Sequence, residues 1–371
     1  MSILFEETAI GGMSLPNRFV RSATWEAMAD PEGRPTDGLA DLIEDLAKGE
    51  VGLIVVGHAF VLPNGIGTPR QSGICMDERI GDLQRITTRI KRYASRTAIQ
   101  INHAGGHTRP EWITGDIVAP SAYTNLYGEN ARELTAGEID ETIEAFIQAG
   151  RRAKEAGFDA LQIHAAHGYL INQFLSPVWN KRTDSYGGSL LSRSRFLFEI
   201  CEGLKSVLGD AYPILVKLGS SDFIEGGIVP DESVWLAGEL ARIGIAAVEV
   251  SGGSRYSGAD SHIRTGTRRA DQEAWFAQNA RRIKESTSAS VILVGGIRSF
   301  EVAESLVKNG CCDMVAMSRP LICEPDLVRR WRLGDRRKSR CVSDNLCFGP
   351  AFAGSGLWCE TRRRREMKAG L

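Results

Sequence analysis

ALQIHAAHGYLINQFLSPVWNKRTDSYGGSLLSRSR, residues 160–195, joins an apolar run to a long polar loop. A helix-like segment, residues 135–159, precedes it and opens with Thr135-x-x-Glu138, the pattern of a capping box. The apolar run delivers two imidazoles and a phenol within six residues, namely His164, His167 and Tyr169. An irregular loop of this length inside a compact domain is usually functional. The stretch therefore predicts a helix, then a buried strand, then proton-handling groups at the carboxyl end of that strand.

The same alternation of helical and apolar segments runs through the rest of the chain. The apolar runs are nearly continuous, as expected for parallel strands that are covered on both faces. The eight predicted strands are Phe19–Ala23, Gly52–Val56, Ala98–Asn102, Ala160–Ile163, Ile214–Leu218, Ala247–Ser251, Val291–Val294 and Met314–Met317. Eight such units predict an α/β fold, a closed (β/α)₈ TIM barrel with long βα loops. A doubly wound sheet is the alternative, but no G-x-G-x-x-G follows the first strand.

The predicted barrel occupies residues 1–335, and residues 336–371 form a short Cys- and Arg-bearing extension packed on it. Lys plus Arg number 45 and Asp plus Glu number 46, so no general basic field favours nucleic acid. No membrane span or signal peptide is visible. Eight cysteines without a signal predict reduced thiols and a cytoplasmic protein, and a homo-oligomer is expected.

The last two predicted strands indicate a phosphate site. Gly295 and Gly296 follow strand seven, and Ser318 and Arg319 follow strand eight. In a TIM barrel these two loops often bind phosphate, with backbone N–H groups and an arginine as donors. Under the alternative interpretation, the glycines only pack and Arg319 is a surface charge.

Three motifs in order along the chain resemble the Old Yellow Enzyme family of FMN-dependent oxidoreductases. They are LPNR at residues 15–18, QINHAG at residues 100–105, and the run from His164 through Tyr169 to the GGS-x-x-x-R of residues 187–193. The resemblance spans residues 3 to 335 and includes the barrel domains of 2,4-dienoyl-CoA reductase and trimethylamine dehydrogenase. It implies bound FMN, NADH or NADPH as hydride donor, and reduction of an activated C=C bond by a ping-pong mechanism.

The resemblance also assigns flavin contacts. Gln100 would bind the edge of the ring, and Lys217, where many members carry Arg, would place a cation near the charge that reduction creates. The flavin would cross Ser22, Ala23 and Thr24, while Gly57 would give a backbone contact. The phosphate of FMN would lie at Gly296, Ser318 and Arg319.

The resemblance makes His164 and His167 the pair that polarises a substrate carbonyl, and Tyr169 the donor of a proton to the α-carbon. Other interpretations stay open. The imidazoles could simply be packed and hydrogen-bonded, or they could bind zinc with His103 or Asp184, as in a barrel hydrolase. A flavin-dependent dehydrogenase or demethylase is the nearest alternative that keeps the cofactor.

The last cysteines resemble an iron–sulfur segment of the larger relatives. Cys341, Cys347 and Cys359 match three of its four positions, but Asp344 stands at the second. Thiolate is the normal ligand of such clusters, which argues against one here. No metal is therefore assigned to the site.

Overall fold

A computed structural model describes residues 2–368. Eight parallel strands close into a barrel in which each strand pairs with the next along the chain and the last pairs with the first. The strands are β1 (Phe19–Arg21), β2 (Leu53–Phe60), β3 (Arg96–Asn102), β4 (Ala160–Ala165), β5 (Ile214–Gly219), β6 (Ala247–Ser251), β7 (Ser290–Val294) and β8 (Met314–Met317). The TIM barrel is confirmed, and closure of the sheet excludes the doubly wound alternative.

Helices follow the strands and cover the outside of the barrel. They are α1 (Asp37–Lys48), α2 (Arg79–Ile90), α3 (Ala136–Glu155), α4 (Leu190–Leu208), α5 (Pro230–Ile243), α6 (Ala277–Ser286), α7 (Phe300–Lys308) and α8 (Leu327–Arg332). Shorter helices span Leu170–Leu175, Arg319–Cys323, Phe348–Phe352 and Glu360–Lys368. The predicted capping box is present at α3, where Thr135 and Glu138 exchange side-chain and backbone hydrogen bonds. Within residues 2–368, no helix has the length and apolar character needed to cross a bilayer.

Alternate side chains of the strands fill the barrel interior, and the others pack against the helices. The interior cluster includes Val20, Leu53 and Val55, all fully buried. A two-stranded hairpin, Thr8–Ile10 with Met13–Leu15, adds Ile10 and Leu15 to the same cluster. The hairpin and the interior side chains fill the barrel at its amino-terminal base, so polar groups collect at the carboxyl ends of the strands.

The segment after α8 returns to the carboxyl end of the barrel. Its Phe352 ring packs on Trp25, which follows β1, with ring centroids 4.7 Å apart. Cys347, Ala351 and Leu357 complete a small apolar cluster around Trp25. This segment therefore covers the residues that leave the first strand.

Candidate active site

A large cavity opens at the carboxyl ends of the strands and encloses about 1290 Å³, its open mouth included. It brings together most of the predicted site residues, namely Ser22, Ala23, Thr24, Gln100, His164, His167, Tyr169, Lys217, Gly295, Gly296, Ser318 and Arg319. Gly57 lies outside the lining, and its N–H donates to the buried Glu26 carboxylate at 3.3 Å.

The floor of the cavity is a chain of hydrogen bonds centred on the buried Glu249 carboxylate. Lys217 lies 3.3 Å from Glu249 and donates to Ser22 Oγ at 2.8 Å, and Ser22 donates onward to Glu249. On the other side, Gln100 donates to Gln162, which donates to Glu249 at 2.7 Å. Burial lowers the pKa of Lys217, and the nearby carboxylate opposes part of that effect. The network fixes one cation and one amide group under the cavity.

Two arginines give one corner of the cavity a positive charge. Arg319 donates to Asn345 Oδ1 at 2.6 Å and to the Arg264 carbonyl at 2.8 Å. Arg298, which the sequence analysis missed, donates to two backbone carbonyls. Among residues 2–368, no Asp or Glu lies within 4.0 Å of either guanidinium group. Both charges lack a carboxylate partner, so an anion suits this corner.

The glycines after β7 adopt backbone conformations that disfavour side chains. Gly295 and Gly296 have φ of 134° and 71°. A Cβ at Gly296 would lie 2.5 Å from the Trp275 ring, so both strain and contact require glycine there. Across the corner, Thr24 and Ser318 share a hydroxyl hydrogen bond of 2.7 Å. Two glycines and two hydroxyl groups thus lie in this corner beside the Trp275 ring, which is 5.5 Å from the Arg319 guanidinium.

The two predicted histidines lie side by side, with ring centroids 5.0 Å apart. His164 Nδ1 accepts the Ala166 N–H at 3.3 Å, which assigns the ring proton to Nε2. His167 has φ of 65°, and its Nε2 lies 2.7 Å from Ser251 Oγ. Burial, followed by neighbouring imidazoles, lowers the pKa of both rings well below the usual value. At neutral pH both are therefore uncharged and can act as neutral hydrogen-bond donors.

Tyr169 lies against His164, with ring centroids 4.8 Å apart. Burial raises the pKa of its phenol to about 12, so the phenol keeps its proton at neutral pH. Gly67 also lies close to the ring, since a Cβ at that glycine would be 3.2 Å from Tyr169 Cε1. The phenol is thus a protonated group held beside two neutral imidazoles.

Three further histidines line the same cavity and were missed by the sequence analysis. They are His58, His107 and His262, so five of the six histidines of the chain meet there. His262 stacks on His167 with centroids 4.2 Å apart. The Nδ1 atoms of His107 and His262 are buried and have no hydrogen-bond partner in residues 2–368. His107 and His262 lie on separate loops, where no local pattern marks them, and His58 lies near the end of β2.

The zinc alternative does not fit the structure. His103 lies outside the cavity and bonds with Asn64 at 3.1 Å, while Asp184 pairs with Arg182 at 2.6 Å. Neither proposed third ligand reaches His164 and His167. The part of the chain that the structure describes has no group of three or more metal-ligating side chains.

The extension contributes to the cavity wall and places its cysteines behind it. Ser343, Phe348 and Phe352 line the cavity. The neighbouring Cys323 thiol lowers the pKa of the Cys359 thiol below its usual value, and sequence spacing did not reveal this neighbour. Asp344, at the second position of the iron–sulfur pattern, instead accepts hydrogen bonds from Thr361 and from the Leu346 N–H.

Comparison with known proteins places this geometry in a family. A family model for the NADH:flavin oxidoreductase / NADH oxidase family matches residues 3–337. The NADH oxidase of Thermoanaerobacter brockii is 34% identical over 351 residues, which is 93% of this chain and 53% of that protein. The NADPH dehydrogenase of Clostridium acetobutylicum is 36% identical over 329 residues, which is 88% of this chain and 93% of that protein.

A solved structure of 2-naphthoyl-CoA reductase with 2-naphthoyl-CoA superposes with a TM-score of 0.89 at 28% identity. The match covers 96% of this chain and 56% of that protein. The chain thus spans about half the length of that reductase and of the NADH oxidase. The predicted family is confirmed: the chain belongs to the NADH:flavin oxidoreductase / NADH oxidase family, the Old Yellow Enzyme family of FMN-dependent oxidoreductases.

Proposed function

We propose that this protein is an FMN-dependent ene-reductase that takes hydride from NADH or NADPH and reduces an activated C=C bond. The observation that carries the proposal is the convergence of His164, His167 and Tyr169 above the floor made by Gln100 and Lys217. Two neutral N–H donors and one protonated phenol are what a conjugated carbonyl compound needs for reduction. A small molecule such as an enone, an enoate or an enoyl thioester is the proposed substrate.

The cavity fits FMN by the chemistry of its donors. The phosphate would lie at the corner where Arg298 and Arg319 lack carboxylate partners, beside Gly296. Gln100 uses its amide nitrogen for Gln162, which leaves its carbonyl oxygen for a ring N–H. Lys217 would stabilise the negative charge that reduction places on the ring. When bound, FMN supplies the hydride for the β-carbon of the alkene.

The side chains supply the remaining chemistry. His164 Nε2–H, together with His167, would donate to the carbonyl oxygen and stabilise the negative charge that forms on it. Tyr169 would give its phenolic proton to the α-carbon, so one C–H bond forms as the O–H bond breaks, and solvent water would reprotonate the phenolate. Because the nicotinamide and the alkene use one cavity in turn, we expect ping-pong kinetics.

Two features support finer parts of the proposal. All eight cysteines are free, which suits a reducing compartment such as the cytoplasm. The chain turns back over the barrel mouth after α8, which suits a boundary between barrel and extension near residue 335.

The test begins with a spectrum of the purified protein, which should absorb near about 450 nm as flavins do. Tyr169→Phe should then slow alkene reduction by about 10²- to 10⁴-fold, the usual contribution of a general acid. Stopped-flow reduction of the flavin by NADPH should keep its wild-type rate, because no proton is delivered to carbon in that step. Equal slowing of both half-reactions would remove Tyr169 from the proposed role. Protein that neither contains nor takes up FMN would refute the function itself.

A further inference from the structure

His58 occupies an unexpected position at the end of β2. Val55 points into the barrel and Val56 packs outside it, so regular alternation would send His58 outward. Between Val56 and Ala59 the pairing with β3 shifts, with three steps on β2 against two on β3. Gly57, with φ of 105°, makes this bulge possible. The bulge turns the His58 imidazole into the cavity.

The hydrogen bonds of His58 assign its ring proton. Gln71 Oε1 accepts the Gly67 N–H at 2.8 Å, so its amide nitrogen must face His58. That nitrogen lies 2.8 Å from His58 Nδ1, and the Asn102 amide nitrogen lies 3.4 Å from the same atom. An amide nitrogen only donates, so Nδ1 accepts and the proton resides on Nε2.

The protonated Nε2 faces the proposed acid. It lies 3.4 Å from Tyr169 Oη, the only hydrogen-bond partner of that oxygen among residues 2–368. The two rings are 5.2 Å apart between centroids. Burial, with the charge of Lys217 as a second cause, lowers the pKa of His58 to about 3, so the ring is neutral. Its N–H is therefore a donor that does not give up its proton.

We propose that His58 is a positioning residue for Tyr169, whose Nε2–H holds the phenol oxygen toward the substrate and stabilises the phenolate left after proton transfer. This inference rests on the proposed function. The proton that reaches carbon comes from Tyr169, and His58 keeps its own proton throughout. In this proposal the bulge at Gly57 turns the His58 ring into the cavity, and the Gln71 amide keeps the ring proton on Nε2.

A double-mutant cycle tests the proposal in the holoenzyme. His58→Leu should slow alkene reduction by about 10- to 100-fold, the effect of losing a hydrogen bond to a charged oxygen. In the Tyr169→Phe background, His58→Leu should change the rate of alkene reduction by less than about twofold, because the phenol oxygen that His58 contacts is absent. His58→Gln, whose amide nitrogen can stand in for Nε2, should recover most of the rate. Flavin reduction by NADPH, measured in every variant, should stay unchanged.

A second variant covers the case in which His58→Leu does not fold. Gln71→Glu keeps the imidazole but replaces its donor by an acceptor, which moves the ring proton to Nδ1 and removes the donor from Tyr169. It should slow alkene reduction as the leucine variant does. Nitrogen-15 spectra of histidine-labelled apoprotein provide a readout without turnover, because His58 should show the Nε2–H tautomer in wild type and lose it in Gln71→Glu.

The outcomes separate this inference from the proposed function. If the protein neither contains nor takes up FMN, the proposed function fails. If Tyr169→Phe does not slow alkene reduction selectively, the proton-donor role of Tyr169 fails, and the positioning role of His58 fails with it. If Tyr169→Phe does slow it selectively, but His58→Leu slows both tyrosine and phenylalanine backgrounds equally or has no effect, the positioning role alone is overturned. An Nδ1–H tautomer in wild-type protein would also overturn it.

Discussion

Arg319→Met should weaken FMN binding while leaving the fold nearly as stable as before. In the structure the Arg319 guanidinium donates to two neutral acceptors, Asn345 Oδ1 at 2.6 Å and the Arg264 carbonyl at 2.8 Å, and lies 5.5 Å from the centroid of the Trp275 ring. Removing an arginine from a buried carboxylate pair costs about 3–5 kcal/mol, but that cost does not arise here. Loss of two hydrogen bonds to neutral groups, offset by removal of an unpaired charge, should change the free energy of unfolding of apoprotein by no more than about 1–2 kcal/mol.

The cost should appear in cofactor affinity. A hydrogen bond to a charged group contributes about 1.5–3 kcal/mol, which corresponds to an increase of about 10- to 150-fold in the Kd for FMN. Titration of apoprotein with FMN, followed by quenching of flavin fluorescence, measures this change. Riboflavin, which lacks the phosphate, should bind wild type and variant equally. Arg363→Met, at an exposed arginine of the helix Glu360–Lys368, is the matched control and should leave both affinities unchanged.

Two results would refute this reasoning. A Kd for FMN within about threefold of wild type would mean that Arg319 does not bind the phosphate. Equal weakening of FMN and riboflavin would mean that the variant disturbs the cavity as a whole.

Three further predictions concern close contacts and charge. Gly67→Ala places a methyl group 3.2 Å from Tyr169 Cε1, so it should slow alkene reduction more than flavin reduction in stopped-flow measurements. Gly150→Ala places a Cβ 2.2 Å from a leucine of α4, and overpacking should lower the free energy of unfolding by about 1–3 kcal/mol in urea titrations. Burial raises the pKa of Glu26 despite its arginine partner, so above the ordinary glutamate range the folded protein binds more protons at this site than the unfolded chain does. The stability of wild type relative to Glu26→Gln should therefore fall as pH rises above the ordinary glutamate range; a difference that is constant or rises with pH would contradict it.

The barrel was predictable because each strand is covered on both faces and so reads as a continuous apolar run. All eight predicted strands are present, although β2 extends past Val56 to Phe60. The error has a physical cause. A bulge at Gly57 interrupts the alternation of side chains along β2, so the last residues of the strand do not follow the pattern that predicts a strand. His58 was missed for that reason.

The site was predictable where one strand end carries several groups, as His164, His167 and Tyr169 do. Residues that reach the cavity from separate loops, such as His262 and Arg298, leave no local pattern. Phe348 lies in the segment whose cysteines resemble an iron–sulfur motif. The spacing of those cysteines does not reveal that the Phe348 ring lines the cavity. Such placements depend on how the loops pack on the finished barrel.

The hairpin that fills the base of the barrel has a kinetic consequence. Ile10 and Leu15 pack into the barrel interior at its amino-terminal base, so the interior is filled on the side opposite the cavity mouth. If, as proposed, NAD(P)H and the alkene bind in this cavity in turn, the second reactant must wait until the first product departs, and an excess of either reactant should bind the wrong redox form of the protein. We therefore expect each of the two reactants to inhibit turnover at high concentration. Raising the concentration of the other reactant should relieve that inhibition.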